Sequence, residues 1–433
     1  MLTPDEILVN LIRLNTVNPP GNESLVARYL KELCDDAGIA NEIIERERGR
    51  GNFIARLGTG NGPQRLLFLA HSDVVPVGDG WDCDPFSGER RGKLIYGRGA
   101  RDCKGLLAAE LYTLLRLARE GIPPLQGTLI FAAVADEEKG GEWGIRYLLE
   151  QCPEKLQADF AVNEGGEEPI VLGGRTFYFT QVGEKGTAWS KLQARGTACH
   201  GSVPTLGDNA VTKMAGALHA LAGYGAEIKL IPEVQFLLQE LTRAIGLEIP
   251  VTVETVDLLL DHLATKDRDF AEGLRSMTRM TVSPNVVQGG SKTNIVPDEC
   301  QASVDIRILP GQSEAYVRRA LHDCTGGDVE IVIPNYQAPT FSASDSPHYR
   351  LLEEMTAQVV DGDVTCLPYI SSGATDSRYL RQAGIPAYGM GHMVPGFDQA
   401  GRYTIHGKNE RIDVPSLYLK AEFLYTLARA YLS

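Results

Sequence analysis

No apolar run in the chain approaches the roughly 18 uninterrupted residues of a membrane span. The opening, MLTPDEILVN, has no basic segment leading into a long apolar stretch, so no secretory signal is expected. Basic residues are outnumbered, with 42 Lys and Arg against 56 Asp and Glu and a formal charge of −14. That deficit argues against nonspecific binding to nucleic acid or anionic membrane, which needs basic surface. The eight cysteines run from Cys34 to Cys366 without a CxxC pair. A chain of 433 residues can bury a large core without staples, so they are expected as reduced thiols in a cytoplasmic protein. There is no internal repeat and no low-complexity tract. A composition of 43% hydrophobic and 23% charged residues is that of a globular protein, not of a disordered or collagen-like one.

What is present reads as alternating helices and strands. Residues 4–15, 23–36 and 105–118 carry apolar side chains at helical spacing, and Gly38 is a plausible helix stop. Residues 65–70 (RLLFLA) and 128–135 (TLIFAAVA) are short, nearly all-apolar runs that suit strands buried on both faces. Alternation of this kind implies an α/β layer with a mostly parallel sheet. Near residue 183 the texture changes. Strand patterns at 187–195, 278–283, 301–308 and 329–333 interleave with helices at 208–222 and 313–323. That order is the split pattern of a ferredoxin-like domain. A longer helical stretch, roughly 231–275, interrupts it. The α/β texture returns after about residue 340, with a helix at 349–360, a strand near 365–369 and a last helix at about 415–431. The expected organisation is a catalytic domain built from 1–183 and 338–433, with a lid or dimerisation domain, 184–337, inserted between.

Five segments carry chemistry. In HSDVV (71–75), His71 and Asp73 are two apart on an extended chain and share a face, just beyond a strand end where α/β sheets hold ligands. A histidine can bind a metal through one nitrogen while a carboxylate orients its ring through the other; a polar strand end with a capping Asp is the bland alternative. YGRGARDCKG (96–105) places Asp102 in a Gly-rich turn before a helix, either as an N-cap or as a carboxylate held in a cleft. ADEEKGGEWG (135–144) sets Asp136, Glu137 and Glu138 side by side after a buried strand, where they repel unless cations or donors neutralise them. VNEGG (162–166) adds Glu164, and TIHGKNERI (404–412) adds His406 and Glu410. Two histidines and three carboxylates suit zinc, cobalt or manganese, and a bridging carboxylate would organise a pair of ions.

Taken with GTACHGS (196–202), NIVPDECQASVDIRILPG (294–311) and SSGATDSRYL (371–380), these segments resemble the co-catalytic metal-dependent amidohydrolases and peptidases. That family includes aminoacylase, acetylornithine deacetylase, succinyl-diaminopimelate desuccinylase and glutamate carboxypeptidase. Eight motifs fall in the family's order over nearly the whole chain. The resemblance implies a two-domain α/β fold, zinc-peptidase-like, with an inserted ferredoxin-like α+β lid. It makes His71 and Glu164 terminal ligands of one of two divalent ions, Glu138 and His406 ligands of the other, and Asp102 the bridge, followed by a cis peptide bond. Zinc is the expected metal, with cobalt or manganese as alternatives. Asp73 becomes the partner of His71 and Glu137 the general base. His200 would reach the active site of a partner subunit, Arg307 would bind a substrate carboxylate, and Asn294 and the Gly373 loop would contact substrate. The implied reaction is hydrolysis of an amide or peptide bond in an N-acyl amino acid or small peptide with a free carboxylate. The implied assembly is a homodimer through the lid.

Cys103 and Cys199 are unusual at their motif positions and are expected to be packed thiols. A cysteine hydrolase using Cys199 and His200 is a second reading, weakened because neighbours on a strand face opposite ways. A non-catalytic relative that only binds metabolites is a third. His219 is expected in a core or interface, and His262, His322 and His348 at the surface. His392, in GMGHMVPG, is left open as a substrate contact.

Overall fold

The computed structural model describes residues 2–121 and 125–433. Its larger layer is a ten-stranded sheet whose centre is parallel: Arg65–His71 lies between Thr128–Val134 and Phe160–Asn163, and Ala387–Met390 follows on the far side of the last. The apolar run at 65–70 is buried on both faces because successive side chains feed two different cores. Leu66, Phe68 and Ala70 join the core beneath the helices Lys104–Glu120 and Val414–Leu432; Leu67 and Leu69 join the one beneath Ile145–Gln151. Both expected flanking helices form, Lys104–Glu120 ending at Gly121 in the left-handed conformation (φ 57°) and Val414–Leu432 capped by Asp413. The outcome is a two-domain α/β fold.

The second layer is a four-stranded antiparallel sheet ordered Thr281–Gly289, Glu299–Ile308, Gly186–Arg195, Glu330–Gln337. Helices Ala210–Ala222 and Glu314–Thr325 cover one face. The strand expected at 278–283 begins at Thr281 and continues to Gly289. The helical stretch at 231–275 is three helices, Pro232–Ala244, Val256–Ala264 and Arg268–Ser276. Although it lies inside the segment expected to form the lid, its apolar faces do not pack on the lid sheet. Leu237, Leu241, Leu259 and Leu274 bury in the core of the large sheet, and Phe270 meets Phe179 edge to face. Among the described residues no helix is long and apolar enough to cross a membrane. All eight cysteines are free thiols.

Candidate active site

Parallel register sets the site. His71 pairs with Val134 across neighbouring strands, so His71 and the Asp136–Glu137–Glu138 turn emerge at the same edge of the sheet. Glu164 leaves the adjacent strand at the same edge. Gly166 lets its loop lie against the chain at Gly391, where a Cβ would come within 2.4 Å of a backbone nitrogen. Asp102 enters on the turn before Lys104–Glu120, and the Asp102–Cys103 peptide bond is cis. His406 comes from the loop before Arg411–Asp413 and holds a left-handed backbone (φ 58°). Asp136 does the same (φ 71°), so two of the few residues carrying backbone strain sit here, where strain is commonly stored for function.

These side chains converge. Asp102 directs one carboxylate oxygen to His71 Nε2 at 3.0 Å and the other to His406 Nε2 at 2.8 Å. Glu164 lies 3.5 Å from His71 Nε2, and Glu138 lies 3.4 Å from His406 Nε2. The ligand atoms of His71, Asp102 and Glu138 fall within 4.8 Å of one another, as do those of His71, Cys103 and Glu164. The second Glu138 oxygen is buried without a hydrogen-bond partner among the described residues. His71 Nδ1 is occupied by Asp73, 3.0 Å from its carbonyl and 3.5 Å from its carboxylate, which leaves Nε2 facing the other groups. Asp73 in turn accepts the backbone N–H groups of Glu137 and Glu138, each at 3.2 Å, and the Asn18 amide at 2.8 Å.

Electrostatics show what such a cluster needs. Burial first, and then Glu164, Asp376 and Glu138, push Glu137 well above the usual carboxylate range. Glu164 is pushed up to about 8 by burial and by Asp102 and Glu138. Burial opposes ionisation of Asp102, yet hydrogen bonds from His406 and His71 hold it low. His406 is raised to about 10 by its hydrogen bonds to Asp102 and Glu138. Crowded carboxylates thus demand positive charge, and a set of imidazoles, carboxylates and one orphaned oxygen is the donor chemistry of a divalent cation.

The cluster opens on a cleft of about 910 Å³ between the two layers. Glu137 lines it, as do Gly373 and, from the lid, Trp189 and Arg307. Arg307 lies over the Trp189 ring and donates to Asp305 at 2.8 and 3.2 Å. The sequence placed eight of its candidates at or against this cleft: His71, Asp73, Asp102, Glu137, Glu138, Glu164, His406 and Arg307, with Gly373 beside them. His200 and Asn294 are not brought there within one chain. His200 lies on the exposed two-residue strand Cys199–His200, paired with Ile295–Val296 beside Asn294, and lines no part of the cleft. The Cys199 thiol faces backbone carbonyls, and His200 Nδ1 meets Ser202 at 2.7 Å, so the two do not form a nucleophile–base pair.

The remaining histidines lie outside the cluster. His392 does not line the cleft: it is buried, stacked on Phe423 with ring centroids 4.0 Å apart, with Nε2 2.9 Å from Thr356 Oγ1. His219 is exposed in the single chain, so of the core and interface readings only the core one is excluded. His262 and His322 are at the surface as expected, whereas His348 is half-buried on Phe160. Two supporting residues, Glu410 and Asn18, had no role assigned from the sequence. Glu410 accepts the backbone N–H groups of Gly99, Arg101 and Asp102 at 2.9–3.1 Å and the Arg98 guanidinium at 2.7 Å, fixing the loop that carries Asp102. Asn18, ahead of two cis prolines, ties Asp73 to Asp136. The only sequence signals were a glutamate inside the last motif and an Asn-Pro-Pro turn.

A mixed α/β fold with a carboxylate shared by two histidines at its sheet edge defines a class of metal-dependent hydrolase. Comparison with known proteins then places the chain: residues 67–430 match the model of peptidase family M20/M25/M40, and the protein belongs to that family. It is 29% identical over 380 residues to the "Probable succinyl-diaminopimelate desuccinylase" of Staphylococcus aureus (strain MSSA476), covering 86% of this chain and 84% of that one. Among solved structures it resembles the M20 family metallo-carboxypeptidase Sso-CP2 of Sulfolobus solfataricus, with TM-score 0.72 and 22% identity over 100% and 99% of the two chains. It also resembles the Bacillus subtilis YXEP protein, described as a dinuclear metal binding peptidase, with TM-score 0.61 and 15% identity over 99% and 97%. The protein is a metal-dependent enzyme of amide hydrolysis.

Proposed function

We propose that the protein hydrolyses an amide or peptide bond in an N-acyl amino acid or small peptide with a free carboxylate. The observation that carries this reading is Asp102, whose two oxygens face two histidines from opposite ends of the chain while Glu137 stands free in the same cleft. His71 and Glu164 would hold one divalent ion, Glu138 and His406 another, and Asp102 both. The likeness to YXEP, a dinuclear metal binding peptidase, supports a pair. Zinc fits these nitrogen and oxygen donors, as do cobalt and manganese. Divalent ions held by these residues would supply Lewis acidity and lower the proton affinity of a water beside them.

The chain's own residues do the rest. Glu137 accepts the proton of the attacking water and returns it to the leaving amine, a role its raised proton affinity suits. Asp73 holds His71 in one tautomer and, through two backbone N–H groups, holds the Glu137–Glu138 turn in place. Arg307 offers a planar fork to the substrate carboxylate, and the Gly373 loop closes the cleft beside it. His200 and Asn294, together on one lid ribbon but away from this cleft, are assigned to the cleft of a partner subunit in a homodimer. Val286 and Val287, 48% and 52% exposed on the outermost lid strand, support pairing at that edge.

A hydrolysis screen of N-acetyl and N-succinyl amino acids and dipeptides, with zinc, cobalt and manganese each added to metal-stripped protein, tests the reading. Metal-dependent release of a free amino acid, abolished by a chelator and untouched by a thiol alkylator, is expected. Turnover that survives the chelator would overturn it.

A further inference from the structure

Arg50 lines no part of the cleft, yet its guanidinium is buried against the acidic turn. It directly precedes the strand Gly51–Leu57 and is 7% exposed, with Glu23 fully buried beside it. Nε and one terminal nitrogen donate to the two Glu23 oxygens at 2.8 and 2.7 Å, a fork gripping a carboxylate. The same terminal nitrogen also donates to Asp136 Oδ1 at 2.7 Å. Gly21, in the left-handed conformation (φ 82°), makes room for this, since a Cβ there would collide with the guanidinium.

Asn52, two residues further on, closes the neck of the same loop. Its side-chain oxygen accepts the Ala135 N–H at 3.0 Å, and its amide donates to the Trp143 carbonyl at 2.9 Å. Inside that neck Asp136 is the hub. Its Oδ2 accepts the Trp143 N–H at 3.2 Å, and its carbonyl accepts the N–H groups of Lys139 and Gly141 at 3.1 and 2.7 Å. Its backbone is left-handed (φ 71°), a conformation a residue with a side chain adopts only when its surroundings impose it. Glu137 and Glu138 follow directly, so the torsion at Asp136 aims both. Asn52 fixes the ends of the loop, and the Arg50 ion pair fixes its hub. A buried guanidinium between two carboxylates is a weak source of stability, because desolvation offsets the attraction. What the fork does supply is geometry, and a proton acceptor needs its geometry held closely.

We propose that Arg50 is a positioning residue of the hydrolytic site: backed by Glu23, it locks Asp136 in its left-handed conformation and so fixes where Glu137 stands in the cleft. This rests on the reading of Glu137 as the base and makes the segment around residues 21–23 and 50–52 part of the machinery, although none of it lines the cleft.

Arg50→Met, alone and combined with Glu23→Gln, tests this in the zinc-loaded protein, with N-acetyl-L-alanine, N-succinyl-L-alanine and L-alanyl-L-alanine as substrates. The single variant leaves Glu23 buried and unpaired and should lower the urea midpoint. The double variant removes that charge and should regain most of the loss. Turnover should not follow. In both variants kcat is expected to stay about tenfold to a hundredfold down, with KM within about twofold and two zinc equivalents retained in excess zinc. Arg50→Lys, which offers Asp136 an ammonium without the fork, should recover part of kcat. Hydrogen exchange adds a readout that needs no substrate. The amides of Glu137, Glu138, Gly141 and Trp143 should exchange about tenfold faster in the double variant, while those of the strand Arg65–His71 keep their wild-type rates. A kcat that returns together with the urea midpoint would reduce Arg50 to a structural role and overturn the proposal. Unchanged exchange in the turn would overturn it equally. Faster exchange confined to the turn, in a protein whose wild type hydrolyses none of the three substrates, would keep the hold of Arg50 on Asp136 and remove the reading of Glu137 as a base.

Discussion

Glu137 and Glu410 divide the work of the site at the scale of single residues. Glu137 is set apart from the histidines that Asp102, Glu138 and Glu164 approach, so its loss should spare the metals. Glu137→Ala is expected to retain two equivalents by elemental analysis while turnover falls by about a hundredfold to ten-thousandfold. Activity equal to wild type would refute the assignment. Glu410 touches no ligand side chain, yet it collects three backbone N–H groups of the loop that carries Asp102. Glu410→Ala should therefore weaken metal affinity by about tenfold to a hundredfold, measured by competition with a chromophoric chelator. His392 makes a prediction in pH. Burial, then Lys420, hold its imidazole well below the usual value of about 6.5. The unfolded chain therefore binds that proton more readily than the folded one. Its contribution to stability is complete above pH 6.5 and declines below it, by up to about 1.4 kcal/mol per pH unit. His392→Phe, which keeps the stack on Phe423, should flatten the acid limb of urea midpoints measured between pH 7.5 and 5.5; an unchanged limb would count against it.

Elements show how far periodicity carries. The strand Arg65–His71 was legible because both of its faces are buried and every residue from Leu66 onward is inside. The strand Thr281–Gly289 was legible only at its start. It is exposed along most of its length, and Pro284 stands at a register shift, so neither alternation nor an apolar run marks it. The short strands Glu89–Arg91, Leu94–Tyr96 and Arg411–Asp413 are three residues each, too brief for any period, and form only because they find one another. The helices from Pro232 to Ser276 show amphipathic spacing but not its destination. Leu259 is fully buried in the core of the large sheet, so Leu259→Ala should cost about 2–5 kcal/mol and destabilise that layer. Proteolysis would then cut the large layer before the lid; early cutting of the lid alone would contradict this packing.

At the scale of the molecule, the cleft draws its candidate ligands from one layer and Arg307 from the other, while His200 and Asn294 lie away from the cleft of their own chain and are proposed to serve a second copy. Complementation tests that arrangement. His200→Ala and Glu137→Ala should each be nearly inactive alone. Mixed and allowed to exchange subunits, they should recover about a quarter of wild-type activity, because half of the random dimers then hold one intact site. No recovery in a mixture shown to exchange would place the action of His200 within its own chain.

The candidate ligands were legible in the sequence alone: His71, Asp102, Glu138, Glu164 and His406 sit at strand ends and glycine-rich turns whose local chemistry favours them. So was the alternation of helix and strand, because burial imposes its period on each element separately. Which side chains come close enough to share an ion, and which oxygen of Asp102 faces which histidine, were decided only by tertiary structure. Those facts depend on distances between segments up to 335 positions apart, as between His71 and His406, and no local pattern encodes how such segments meet.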